Sequence, residues 1–521
     1  MTLSRQRLLS LVISILPFVV FFLAFWVLLL PIELRGASDD TAHISEIIQM
    51  GRIQWVITRA VTWQPRIASD IVFSVLGFHL SLWRVLNAAV MSIMLWIVTR
   101  IALFGDGSES ATSAGSVQVS RTATVRVLTL AVLACLIVFL IHPNVITSGS
   151  VWVTGSTGYL WPTAAMLIGL APFALTLYGK QLPYHKVLVP VCIFFSLAGC
   201  FTEQTAAVQV GVVLLTLGYL VVTRQRVLRS LIVHGVFVFV ASAAFFYLDF
   251  TSPRVTGGTE LQFFPAFANF SLIDKLLLGV NVYANHLLHI SNLLFTLLLA
   301  IVAWLAFRQA RRGWKGKSAA RLVTPLAFLP ALWALVNTLP LPWGYTKSAS
   351  AVMGNTPGAL GIGVHNWLDF LNTTPPMASG PLPSAVVLAV VAWLTVLSPF
   401  YLLWLAFSDK RDRFLAVMLY LASFLSGILI GFSPTVWASE SRPNYLSNFL
   451  LLVILMMLIR ASMRPSDAQY SVETSKPHLL QEVPFVRPRL VLVFLAILLA
   501  FAVYAWVLYH TRFAANDYWW Y

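Results

Sequence analysis

Two adjacent carboxylates, Asp39 and Asp40, follow a long apolar run that ends near residue 32. A pair this close can hold a divalent cation, or one member can take a proton from a hydroxyl while the other orients it. Their mutual repulsion favours keeping one of them protonated. The same residues also suit the start of a helix. Ser38-Asp39-Asp40 precedes a helical pattern over 41–57, and acids behind a serine cap stabilise a helix N-terminus. Read by themselves, the residues leave both roles open.

Other candidates lie further along. The stretch 41–70 intersperses Ile44, Ile47, Ile48, Ile53, Trp55 and Trp63 with Arg52, Arg59 and Arg66, the make-up of a helix lying in a membrane interface. Its cations could serve anchoring alone, or Arg52 or Arg66 could pair with the aspartates or grip a phosphate. In the run VWVTGSTGYLWP at 151–162, small residues let the backbone turn tightly. Trp152, Tyr159 and Trp161 add flat faces on which a sugar can stack, although an interfacial aromatic belt uses the same residue types. Glu203 sits between two closely spaced apolar runs, where an acid should face a cavity or a cation. Arg442 begins a late apolar run, placed to hold a phosphate bidentately or to pair with Glu440. His286 and His289 share a helix face, but no matching acid follows. Gly-rich phosphate loops, G-x-S-x-G and H-E-x-x-H are absent.

The elements that position these groups must be membrane helices. Of 521 residues, 59% are hydrophobic and only 10% charged, against about 25% charged in soluble proteins. Apolar runs recur from residue 8 to residue 509. Their length, roughly 20 residues each, excludes the short alternating segments of an outer-membrane barrel. The expectation is an all-α polytopic membrane protein forming a single membrane domain over 1–521. About thirteen transmembrane helices are expected, near 8–32, 76–104, 125–142, 159–178, 187–201, 206–223, 230–249, 280–307, 322–340, 384–407, 414–432, 444–461 and 490–509. The first exceeds a signal-peptide h-region and is read as a retained span. Cys135, Cys192 and Cys200 lie in apolar stretches without metal spacing and read as packing residues.

The net charge of +15 reports sidedness rather than nucleic-acid binding. With a cytoplasmic N-terminus, most of the 34 lysines and arginines fall on the inner side and most of the 19 acids on the outer side, as the positive-inside rule requires. Inner loops are short and basic, except for 105–124 and the linker 462–488. Outer segments are longer and richer in aromatics and prolines, notably the first outer loop 33–75 and the long loop 341–383. No internal repeat of the kind many secondary transporters carry is evident.

The outer features, in order, resemble those of GT-C-type glycosyltransferases. More narrowly, they resemble a largely uncharacterised bacterial group related to the O-antigen glucosyltransferases. The resemblance rests on Asp39-Asp40 after the first span, Trp63-Gln64-Pro65-Arg66, the T-G-S-x-x-Y-L-W-P run at 154–162 and Thr202-Glu203-Gln204, with Arg442-Pro443-Asn444 as a weaker fifth feature. Thr41 stands where an aromatic usually follows the acids, Pro65 where glycine is common and Thr202 where histidine is common.

This resemblance implies an inverting hexosyltransferase of the bacterial cytoplasmic membrane, with its active face outward. The donor would be a polyprenyl-phosphate sugar, since nucleotide sugars are not available outside the cell. The acceptor would be a cell-envelope glycan or lipid. It further implies Asp40 as the base, with Asp39 assisting or binding a divalent cation. Arg442 or Arg254 would neutralise the leaving phosphate, and Glu203 would orient a substrate. Arg66, Trp152, Tyr159 and Trp161 complete the expected substrate-binding set, and no nucleic-acid partner is implied. Two rival readings share the sidedness: a flippase of lipid-linked sugars, and a polysaccharide polymerase or ligase.

Overall fold

The computed structural model describes residues 5–106, 121–313, 327–332 and 383–463, apart from positions 35, 37, 181, 183, 259–260, 262–264, 290–291, 437–438 and 440. The expected span at 490–509 lies outside the described residues. So do most of the span at 322–340 and nearly all of the loop 341–383 and the linker 462–488.

Helices dominate, and the described residues contain no strand. The chain opens with α1 (Arg5–Leu29), α2 (Asp39–Met50), α3 (Arg52–Thr62), α4 (Ile67–Leu76), α5 (Leu80–Leu103) and α6 (Arg121–Ile137). Then come α7 (Trp161–Leu177), α8 (His185–Gly199), α9 (Glu203–Val222) and α10 (Arg229–Thr251). The last five are α11 (Leu272–Leu287), α12 (Leu293–Gly313), α13 (Pro383–Ala406), α14 (Lys410–Ile428) and α15 (Tyr445–Ser462). Among the described residues 7 helices are long and apolar enough to cross a membrane, or 8 if one pair bent by 103° is a single broken span. Shorter apolar stretches lie at 14–29, 67–76, 186–199 and 390–406. The fold is thus that of an all-α membrane protein.

One expected span is interrupted and another stops at its expected end, each for a local reason. The run 280–307 is two helices, because Asn292 donates its side-chain amide to the His286 carbonyl at 3.1 Å and occupies a group that a continuing helix would need. The bent pair breaks at His142-Pro143, where proline cannot continue the preceding helix and His142 Nδ1 accepts the Asn144 N–H at 3.2 Å to cap the next. Between Thr147 and Leu160 the chain winds in two wide π-turns (Thr147–Val151 and Ser156–Leu160) around a short α-turn, a geometry that recurs at functional sites.

Packing in lipid relies on close approach, since lipid tails are as apolar as the helices themselves. The central helix, α15, is hydrophobic all round because it is buried all round. Glycines permit the close approaches: a Cβ on Gly149 would strike the Tyr445 ring of α15, and one on Gly427 of α14 the Tyr283 ring of α11. The two ends of α5, about 36 Å apart at 1.5 Å per residue, are tied differently. At the first end, Trp83 donates to Ser156 Oγ at 2.9 Å, Asn87 to the Ser150 carbonyl at 2.6 Å, and Trp161 to Asn87 Oδ1 at 3.1 Å.

The opposite end is ionic. Arg460, fully buried, contacts Asp412 at 2.5 Å and donates to the Ala102 carbonyl at 2.6 Å. Tyr178 donates to Asp412 at 2.6 Å, Lys180 to the Phe104 carbonyl at 2.6 Å, and Arg126 pairs with Asp106 at 3.3 Å. Gly105 leaves the space the guanidinium occupies. The residues expected on the inner side therefore converge at one end of the bundle, and the candidate site lies at the other.

Candidate active site

Asp40 is fully buried. Ser38 caps α2, accepting the Asp40 N–H at 3.3 Å, and a reciprocal contact from the Ser38 N–H reaches Thr41. The cap fixes the first turn, so that Asp40 faces the π-wound segment while Asp39, one residue earlier, stays exposed. Asp40 Oδ1 accepts the Thr154 N–H at 3.0 Å and the Thr154 hydroxyl at 2.5 Å. The two readings of this acid pair are therefore compatible: the pair begins a helix, and one member is held at a defined place. Among the described residues no group of three or more His, Cys, Asp or Glu is arranged to hold a metal, and Asp39 and Asp40 occupy unlike environments, so the pair does not fit a shared cation.

A second cluster gathers on the same segment. Glu203, at the first turn of α9, meets Arg66 at 3.3 Å and Arg254 at 3.7 Å and accepts from the Gln64 amide. Arg254 also pairs with Asp249 at 3.0 Å. Pro65 sits between Gln64 and Arg66, and its rigid φ helps present both neighbours to one carboxylate. Burial opposes the charge on Arg66, but Glu203 and Tyr159 outweigh it and hold its pKa above the ordinary guanidinium range. The Arg66 guanidinium lies 6.0 Å from the Tyr159 ring, Arg254 5.8 Å from Trp63, and Arg442 5.0 Å from Trp152, all within cation–π range. Arg442 also donates to the Ser439 carbonyl at 3.1 Å.

Residues 152–159 are thus a common floor. They carry Trp152 under Arg442, Thr154 under Asp40, and Tyr159 beside Arg66. Trp161, half-buried, donates its indole N–H to Asn87 Oδ1 at 3.1 Å. The expected pairing of Arg442 with Glu440 lies outside the described residues. His286 and His289 join His142 instead, with ring centroids 5.6 Å and 4.5 Å from it, and His286 is bonded to Asn448 at 2.8 Å.

A flanking layer supports α2–α4. His43 packs between Trp55 and Phe73, and burial, with Arg59 assisting, holds it down to about 3, so it is neutral. Trp55 donates to Glu46 at 2.8 Å. Asp70 lies 3.5 Å from Arg59. Burial pushes its carboxyl up to about 6, while Arg59 and Arg66 pull the other way.

Sequence reasoning missed Asp249, whose only signal was an acid at the end of an apolar run. It also missed Thr154 as the partner of Asp40, which nothing local announces. Compared with family models, curated proteins and solved structures, the chain matches none.

Proposed function

We propose that this chain is a membrane-embedded glycosyltransferase of GT-C type. It transfers a sugar from a polyprenyl-phosphate donor to a glycan or lipid acceptor at the outer face of the cytoplasmic membrane. The observation that carries this reading is the meeting, on residues 152–159, of an oriented buried carboxylate, a cluster of arginines and several aromatic faces. Few other chemistries want all three together.

In this mechanism Asp40 takes the proton of the acceptor hydroxyl as that oxygen attacks the anomeric carbon. The bond to polyprenyl phosphate breaks on the opposite face, with inversion, and the electron pair leaves on the phosphate. Arg442 or Arg254 meets the developing charge. Arg254 and Arg66 are already balanced by Glu203 and Asp249, so the phosphate must share them with those acids. That sharing keeps the donor releasable. Trp152 and Tyr159 stack on the sugar, and Glu203 sets the arginine positions. Asp40 lies on the first turn of α2 and is buried against Thr154, so the acceptor reaches it when that turn and residues 152–159 part. Gly51, at φ 85°, separates α2 from α3 and supplies the hinge.

Transfer from a labelled polyprenyl-phosphate sugar by the reconstituted protein tests this. Asp40→Asn should lose about 10²–10⁴-fold, the usual worth of a general base. Full activity in that variant would refute the base assignment.

A further inference from the structure

A cavity of about 530 Å³ opens at the end of the bundle opposite the candidate site, between the last turns of α7, the start of α8 and the first turn of α10. Pro172, Val189 and Leu231 give it apolar walls, and Arg226, Arg229 and Ser230 line its polar side. The connection from α9 reverses sharply, with Arg224 in the left-handed conformation at φ 54°, and this turn carries both arginines to the cavity. Both side chains are exposed. Among the described residues no carboxylate pairs with either, and no acid lines the cavity.

The flanking helices are bare on their outer faces. Val187, Val191 and Phe194 of α8 and Ile232, Val236 and Phe239 of α10 are exposed apolar side chains, the surface that acyl chains cover. A cavity with apolar walls and two unbalanced cations on its polar side, set between two lipid-facing helices at their ends, matches a headgroup attached to acyl chains. We infer that this cavity is a binding site for an anionic phospholipid, with Arg226 and Arg229 on the phosphate and the acyl chains along α8 and α10. The site is remote from the transferase centre and independent of it.

Native mass spectrometry of the purified full-length chain, equilibrated with equal amounts of phosphatidylglycerol and phosphatidylcholine, reads the preference directly. Wild type should retain phosphatidylglycerol. Each arginine lost should weaken that preference roughly fivefold, so Arg226→Gln/Arg229→Gln should nearly abolish it. Arg226→Lys/Arg229→Lys should keep most of it, and Lys410→Gln, at the same end but elsewhere, should leave it unchanged. Equal retention by wild type and the double glutamine variant would overturn the assignment. So would displacement of the lipid by millimolar inorganic phosphate, which would mark a site for a soluble anion.

Discussion

Asp39 and Asp40 are neighbours in sequence and opposites in setting. One is exposed on the first helical turn, and the other is buried against two donors of Thr154. Asp39→Asn should therefore keep transfer within a few-fold of wild type while Asp40→Asn loses it, as measured by initial rates in proteoliposomes. Asp70 makes a separate prediction. Its folded-state pKa of about 6 lies above the unfolded value near 3.8, so the folded state binds the proton more tightly. That stabilisation is complete below about pH 4 and is lost as pH rises toward 6. Asp70→Asn should flatten the fall in thermal stability over this window; an unchanged profile would show that Asp70 is ionised throughout. At this scale the sequence was a partial guide. The cap at Ser38 and the acid at Glu203 are local patterns and could be read. Glu203 with Gln64 and Arg66, more than 130 residues away, is a tertiary pairing with no local trace.

Helices were legible from apolar run length, their interruptions less so. The break at Asn292 comes from one residue inside a window whose mean character stays apolar, whereas the bend at His142-Pro143 falls at the expected end of the run 125–142. The short amphipathic α3 exposes Ile53, Ile57 and Val61 while burying Trp55 and Ala60. Gly51 has open space around it but sits at φ 85°, so Gly51→Ala should destabilise α2–α3 by about 1 kcal/mol through backbone strain alone. At the far end, the buried pair Arg460–Asp412 joins α15 to α14. Removing one partner strands a charge, and Arg460→Met should cost about 3–5 kcal/mol. Arg460→Met with Asp412→Leu should recover most of that loss in thermal unfolding. An additive loss in the double variant would show that the two residues act separately.

Among the described residues, Arg126, Lys180, Asp412 and Arg460, assigned to the inside by a cytoplasmic N-terminus, gather at one end of α5, α7 and α15, and Arg66, Glu203 and Arg254, assigned to the outside, gather at the other. Charge bias along the chain was enough to foresee that sorting, because it counts loops and needs no contacts. The proposed orientation can be read by labelling, since Cys135, Cys192 and Cys200 are all buried. In intact cells Ser45→Cys should react with an impermeant maleimide, and Ser408→Cys should react only after permeabilisation; the reverse pattern would invert the topology. The most direct test of the central claim is transfer of labelled sugar from polyprenyl-phosphate sugar in proteoliposomes, comparing wild type with Asp39→Ala/Asp40→Ala. The account predicts transfer by wild type and its loss in a folded double variant. Movement of intact lipid-linked sugar between leaflets, with no transfer by either protein, would contradict it and identify a transporter.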